Sequence, residues 1–381
     1  MEALGQIGHF GSGTLAYLIP FLFVLTVVVF FHELGHFLVA RWTGVTVKVF
    51  SIGFGPEIWG FDDRHGTRWR LSLIPLGGYV RFLGDENEAG GTDRPALEQL
   101  SADERSGAFV TKKVAARAAI VAAGPIANFV LAIAIFTTVF SIFGMQQMSP
   151  RVDEVVAGSV AERAGFQVGD VIAAIDGRPI ANFTELQRIV SISTGEELTV
   201  VVDRGNAQVT LKATPELKEI KDQFGNASRV GILGINRNPT ADQVVTERFS
   251  VPDAFVRAVE ETGFVVERTF SYLFGVIVGR ESADQLGGPL RVAEISSQVA
   301  SIGFLPLINL AAILSISIGL INLFPVPMLD GGHLLFYVIE AVIGRPLSDR
   351  AQDIGFRLGF AAMVALMVFA TWNDIIHLSS L

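Results

Sequence analysis

Residues 15–40 read LAYLIPFLFVLTVVVFFHELGHFLVA, a run of 26 whose only acidic or basic side chains are His32, Glu33 and His36. About 20 apolar residues span a bilayer core, so the run predicts a transmembrane helix. The leader MEALGQIGHFGSGT has no Lys or Arg, and the apolar stretch is too long for a cleavable signal. Three more runs follow: residues 114–143 with one charge, Arg117, residues 302–324 with none, and the shorter 358–372 between Arg357 and Asp374. The fold class expected is a polytopic α-helical membrane protein with four transmembrane helices. Half of the 381 residues are hydrophobic and 18% are charged, against about 25% in ordinary soluble chains.

Charge sets the orientation. Residues 41–113 hold ten Lys or Arg, and Arg345, Arg350 and Arg357 precede the fourth run, whereas residues 1–14 and 373–381 hold none. The positive-inside rule then puts both basic loops in the cytoplasm and both termini outside. A net charge of −9 gives no basic face for nucleic acid. The absence of cysteine excludes disulfides, thiolate zinc sites, iron–sulfur clusters and a cysteine nucleophile.

The spans divide the chain into a first helix (1–40), a cytoplasmic loop (41–113), a second helix (114–143), an outer region (144–301) and a C-terminal membrane region (302–381). Within the loop, Lys48–Leu83 reads as β, with turn signals at Gly53–Pro56, His65–Gly66 and Gly77–Gly78. It is apolar enough to lie against or dip into the membrane beside the first helix. Asp85–Gly107 reads as a flexible loop. The outer region is expected to hold one small α/β domain (144–245), with a helix at Ser159–Gly165, a strand at Asp170–Ile175, a turn at Asp176–Gly177, a helix at Thr184–Ser193 and a strand at Glu197–Asp203. A connector (246–301) follows, in which Pro252–Gly279 has the spacing of an amphipathic helix.

His32-Glu33-Leu34-Gly35-His36 carries the chemistry. Residues four apart stand on one helix face, so both imidazoles can reach one Zn²⁺ while Glu33 borders the open position. Three ionisable groups inside an apolar helix are costly without such a role. Catalytic zinc takes a third protein ligand. The segment N-L-F-P-V-P-M-L-D-G-G at 322–332 offers Asp330 at the cytoplasmic end of the third helix, where Pro325 and Pro327 break the helix and Gly331–Gly332 permit a turn. His333 is a rival ligand ranked below Asp330, and Asn322 needs polar company in its apolar surroundings.

HELGH and NLFPVPMLDGG together resemble the site-2 protease family of intramembrane zinc metalloproteases, and within it the bacterial regulator of sigma-E protease. The resemblance extends to SIGFGP, LIPLGGYVRFLGD, AAGPIANF at 122–129 and LGGP at 286–289. Residues 157–180 look like part of a PDZ domain. The best-known enterobacterial members carry two in tandem, and this loop has room for one. The resemblance implies that His32, His36 and Asp330 bind Zn²⁺. It makes Glu33 the catalytic base, taking a proton from the attacking water and passing it to the leaving amine. Asn322 and Pro325 would bind substrate or steady the oxyanion, and Gly77 and Gly78 lie in a β segment suited to pair with an unwound substrate strand. Expected partners are the bilayer and single-span substrates such as an anti-sigma factor, already trimmed by a periplasmic protease. The implied setting is the bacterial inner membrane and the sigma-E stress response. Two other classes stay open: a catalytically silent adaptor binding protein C-termini, and a membrane zinc carrier, which would want ionisable groups at several depths.

Overall fold

The computed structural model describes residues 2–85, 94–221, 227–238, 244–279, 283 and 287–379. The chain forms two compact units, Met1–Phe136 with Leu286–Ser380, and Thr137–Gln285.

The first unit is built on apolar helices, because a backbone in lipid must satisfy its own hydrogen bonds. Four helices are long and apolar enough to cross a membrane: Leu18–Trp42 within α1 (Glu2–Trp42), α4 (Val114–Ile142), α9 (Phe304–Asn322), and Arg350–Ile376 within α11 (Asp349–Ser379). The last corrects the expected 358–372. Arg350, Asp353 and Arg357 end the apolar run but not the helix, and Arg357 pairs with Asp353 one turn away at 3.8 Å. The short helices α2 (Arg94–Gln99) and α3 (Ala102–Ser106) precede α4, and α8 (Pro289–Ile302) and α10 (Asp330–Ile343) flank α9. The expected loop at 85–107 is thus partly helical, α3 being closed by a Ser101–Glu104 capping box. Its residues 86–93 lie outside the described ones, as does Leu286 of LGGP.

Between α1 and α4 the chain forms one sheet from β1 (Val47–Asp62) and β2 (Arg68–Phe82), each folded back on itself so that four short runs lie in the order 57–62, 68–72, 47–52, 78–82. All three turn signals reverse the chain, because residues 57–62 run antiparallel to 68–72, and 49–52 pair with 68–71 on one side and with 78–81 on the other. Gly53, Gly55 and Gly77 (φ +86°, +85° and +111°) supply the left-handed backbone at the first and third of these reversals. The hairpin turn is tied to the end of α1 by the Arg41–Asp63 ion pair. Burial alone would raise the Asp63 carboxyl, but hydrogen bonds from Trp69, Thr67, His65 and Arg41 hold it well below the usual carboxylate range. Phe50 and Trp69 pack on Phe37 of α1, while Ile58, Trp59, Leu73 and Leu76 are exposed.

Side chains of α11 and α4 fix the remaining helices. Buried Asp374 of α11 accepts from the N–H groups of Gly288, Leu290 and Arg291 (2.8, 3.0 and 3.2 Å), capping α8 at the end of LGGP. Gly359 of α11 lets Pro327 approach, since a methyl group there would lie 2.1 Å from the Pro327 carbonyl oxygen. Arg117 of α4 pairs with Glu340 of α10 at 2.6 Å.

The second unit centres on an antiparallel sheet of order β6-β5-β7-β8, from β5 (Val171–Ile175), β6 (Arg178–Pro179), β7 (Leu198–Arg204) and β8 (Ala207–Ala213). Two-stranded pairs join β3 (Met145–Met148) to β12 (Val244–Glu247), β4 (Glu154–Val155) to β11 (Ile235–Asn236), and β9 (Glu216–Lys221) to β10 (Ala227–Ile232). Helices α5 (Val160–Ala164) and α6 (Phe183–Ile192) cover a core of Ile172, Ile175, Phe183, Leu186, Val200 and Val202. Asp176 and Gly177 both take positive φ (48° and 79°), the conformation of a tight hairpin turn. Helix α7 (Val251–Ile277) belongs to this unit and α8 to the first, which divides the 246–301 stretch. Along α7, Phe255, Val259, Phe270, Phe274 and Ile277 are exposed.

Candidate metal centre

Helix α1 sets His32 and His36 one turn apart on the same face, with their Nε2 atoms 3.2 Å apart. Asp330, the first residue of α10, brings Oδ2 to 3.2 Å from His32 Nε2 and 3.6 Å from His36 Nε2. Among the described residues these three form the one group of His, Cys, Asp or Glu placed to share a metal ion.

The donors fit zinc. Bonds of about 2.0–2.1 Å in a tetrahedron put neighbouring ligand atoms about 3.3 Å apart, close to the three separations observed. His36 Nδ1 lies 2.9 Å from the Ile120 carbonyl oxygen, to which it donates, so its Nε2 presents a lone pair to the site. Asp330 Oδ2 is buried and accepts no hydrogen bond of acceptable geometry. The lone pairs of His36 Nε2 and Asp330 Oδ2 thus converge on one point, an arrangement that a cation stabilises.

The local sequence makes this convergence possible. At Gly124 of α4 a methyl group would fall 2.2 Å from His36 Nε2, and at Gly35 one would fall 2.2 Å from the Ala123 carbonyl oxygen. Close packing of α1 on α4 therefore needs both glycines. Ahead of Asp330, Met328 adopts a left-handed φ of +86°, turning the chain into α10. Gly331 and Gly332 keep helical conformations and are not the turn that the sequence suggested. Their role is proximity: a methyl at Gly331 would lie 2.3 Å from the carbonyl oxygens of Leu323 and Phe324, and one at Gly332 would lie 2.4 Å from that of Val326.

Glu33 lies beside the two imidazoles on α1, and β2 passes directly against it. A methyl at Gly78 would sit 3.0 Å from Glu33 Cγ, and one at Gly77 would sit 2.6 Å from the Phe54 ring. Asn322 occupies the last position of α9 and is half-buried, and Pro325 is exposed in the connection to α10. Among the described residues neither is hydrogen-bonded to the triad. The His333 ring lies against Phe356 of α11, centroids 5.4 Å apart, and takes no part in the cluster.

Sequence reasoning missed the supports supplied by α4: the Ile120 carbonyl, Gly124 and Asn128. Asn128 is fully buried, with its amide 3.3 Å from His32 Nδ1. A signal was there, because an Asn within the 114–143 run needs polar company for the same reason as Asn322.

Comparison with known proteins agrees with this geometry. Residues 20–366 match peptidase family M50. The chain is 50% identical to "Putative zinc metalloprotease Atu1380" of Agrobacterium fabrum, over 94% of its own length and 95% of the relative's. It is 48% identical to "Putative zinc metalloprotease R01501" of Rhizobium meliloti over 95% and 97% of the two chains. To "Metalloprotease MmpA" of Caulobacter vibrioides the identity is 39%, over 95% and 96%. Matched over nearly all of its length, the chain belongs to peptidase family M50, the site-2 proteases, and is a multi-pass zinc metallopeptidase.

Proposed function

We propose that this chain is an intramembrane protease that hydrolyses peptide bonds within the transmembrane segments of single-span membrane proteins. The observation that carries the reading is the site of convergence: His32, Glu33 and His36 lie within the membrane-length apolar stretch of α1. A peptidase working there takes substrates whose scissile bonds also lie in lipid. His32, His36 and Asp330 hold zinc. When bound, zinc supplies Lewis-acid polarisation of the scissile carbonyl and acidifies the attacking water. Glu33 accepts the water's proton and delivers it to the amide nitrogen as the C–N bond breaks. A helical substrate must first unwind, and the 78–82 run of β2, which pairs with β1 on one side and passes beside Glu33, offers an edge for the extended strand. Gly77 and Gly78 keep that edge close, and Pro325 borders the connection to Asp330.

Asn322 donates its amide to the substrate backbone or to the developing oxyanion. Asn322→Ala is expected to lower turnover by about 10²–10³-fold with metal content unchanged, read by cleavage rate beside zinc analysis. Unaltered turnover would leave Asn322 a structural role only.

The setting proposed is the bacterial inner membrane, with both termini periplasmic, the zinc site toward the cytoplasm and the second unit a periplasmic PDZ-like domain. The substrates are anti-sigma factor-type proteins first trimmed by a periplasmic protease, as in a sigma-E stress response. The test is co-expression with one single-span protein in full-length and outer-trimmed forms. The trimmed form should be cut within its membrane segment by wild type and not by Glu33→Gln. Cleavage confined to soluble loops would overturn the intramembrane reading.

A further inference from the structure

We propose that Asn128 is a positioning residue for the zinc site, its Oδ1 accepting the Nδ1 proton of His32 and so presetting the tautomer that leaves Nε2 free for metal. The proposal rests on the reading of His32, His36 and Asp330 as zinc ligands.

Asn128 is held rigidly. It is 0% exposed, its backbone carbonyl accepts from Ser315 Oγ of α9 at 2.9 Å, and its Cβ would meet a methyl at Gly319 at 3.1 Å. The side-chain amide nitrogen lies 3.3 Å from His32 Nδ1, while Oδ1 is buried with no hydrogen-bond partner. An amide nitrogen facing Nδ1 requires that Nδ1 be bare, which puts the imidazole proton on Nε2. That proton would point at His36 Nε2 and Asp330 Oδ2, 3.2 Å away in each case, where the ion must sit. In this orientation Oδ1 is orphaned, so the amide gains no compensating hydrogen bond elsewhere.

Amide oxygen and nitrogen exchange places by a half-turn of the side chain, and their assignment follows from the hydrogen bonds they make. After that turn Oδ1 faces His32 Nδ1, which donates to it, and the Nε2 lone pair joins the ligand set. His36 already shows the same arrangement toward the Ile120 carbonyl. Helix α4 thus orients both imidazoles, one through a backbone acceptor and one through Asn128. Partners of this kind raise ligand basicity and fix ring orientation.

The test uses the full chain in nanodiscs. Zinc affinity is measured against a competing chelator for wild type, Asn128→Ala and Asn128→Asp. Asn128→Ala should weaken zinc binding by about 10–100-fold. Asn128→Asp, which can accept but not donate, should stay within about threefold of wild type. Asp as weak as Ala, or Ala equal to wild type, would overturn the proposal. Independently of any variant's folding, ¹⁵N-histidine spectra of the zinc-free wild type should show His32 protonated at Nδ1, and a proton on Nε2 would overturn it. A wild type that binds no zinc but carries the Nδ1 proton would instead count against the zinc reading.

Discussion

Glu33→Gln is expected to lower cleavage by about 10²–10⁴-fold while the protein keeps one zinc per chain. The amide matches the carboxylate in shape, so the packing of α1 against β2 is retained, including the close approach of Gly78 to Glu33. What is lost is proton transfer, since a neutral amide cannot take a proton from water and return it to the leaving nitrogen. The metal is spared because the three converging donors are His32, His36 and Asp330, and Glu33 is not among them. Cleavage of a trimmed single-span substrate, measured beside zinc content, separates the two effects. Zinc lost together with activity would place Glu33 among the ligands. Activity retained at the wild-type level would leave the proton with some other group.

The parts of this site that repeat on a helix were legible. His32 and His36 announce themselves because i and i+4 share a face, and apolar length alone marked four membrane helices. Asp330 was legible by elimination, as a carboxylate next to helix breakers. Less visible were features set by contacts between distant segments. The turns at Gly53 and Gly77 were legible from their glycines, but the order in which the four runs pair is set by cross-strand register alone. Gly331 and Gly332 looked like a flexible turn, yet they are small because the carbonyls of Leu323, Phe324 and Val326 crowd them. Apolarity marks only the middle of helix α11, since hydropathy reports lipid contact and not where helical hydrogen bonding ends. Its Gly359 and Asp374 seat Pro327 and cap α8, roles that involve partners far away in sequence.

That seating bears on the largest loss of metal expected. Asp330→Ala should weaken zinc binding by more than about 100-fold, beyond the range of outer-shell partners, whereas His333→Ala should leave it near wild type. Asp330 is aimed by an over-determined stretch of backbone. The left-handed Met328 turns the chain, Gly331 and Gly332 pack under neighbouring carbonyls, and Gly359 of α11 holds Pro327 from the other side. Removing one carboxylate from such a frame takes away a ligand without releasing the loop, and two imidazoles alone make an incomplete zinc site. His333 lies one turn further along α10 with its ring against Phe356, so its loss perturbs packing on α11 and not the ligand set. Zinc content after dialysis against a chelator, read with thermal unfolding of the zinc-free variants, distinguishes ligand loss from general destabilisation. Equal zinc loss in the two variants would remove Asp330 from its place as third ligand. An Asp330→Ala protein that retains zinc as wild type does would require a donor other than the three that converge here.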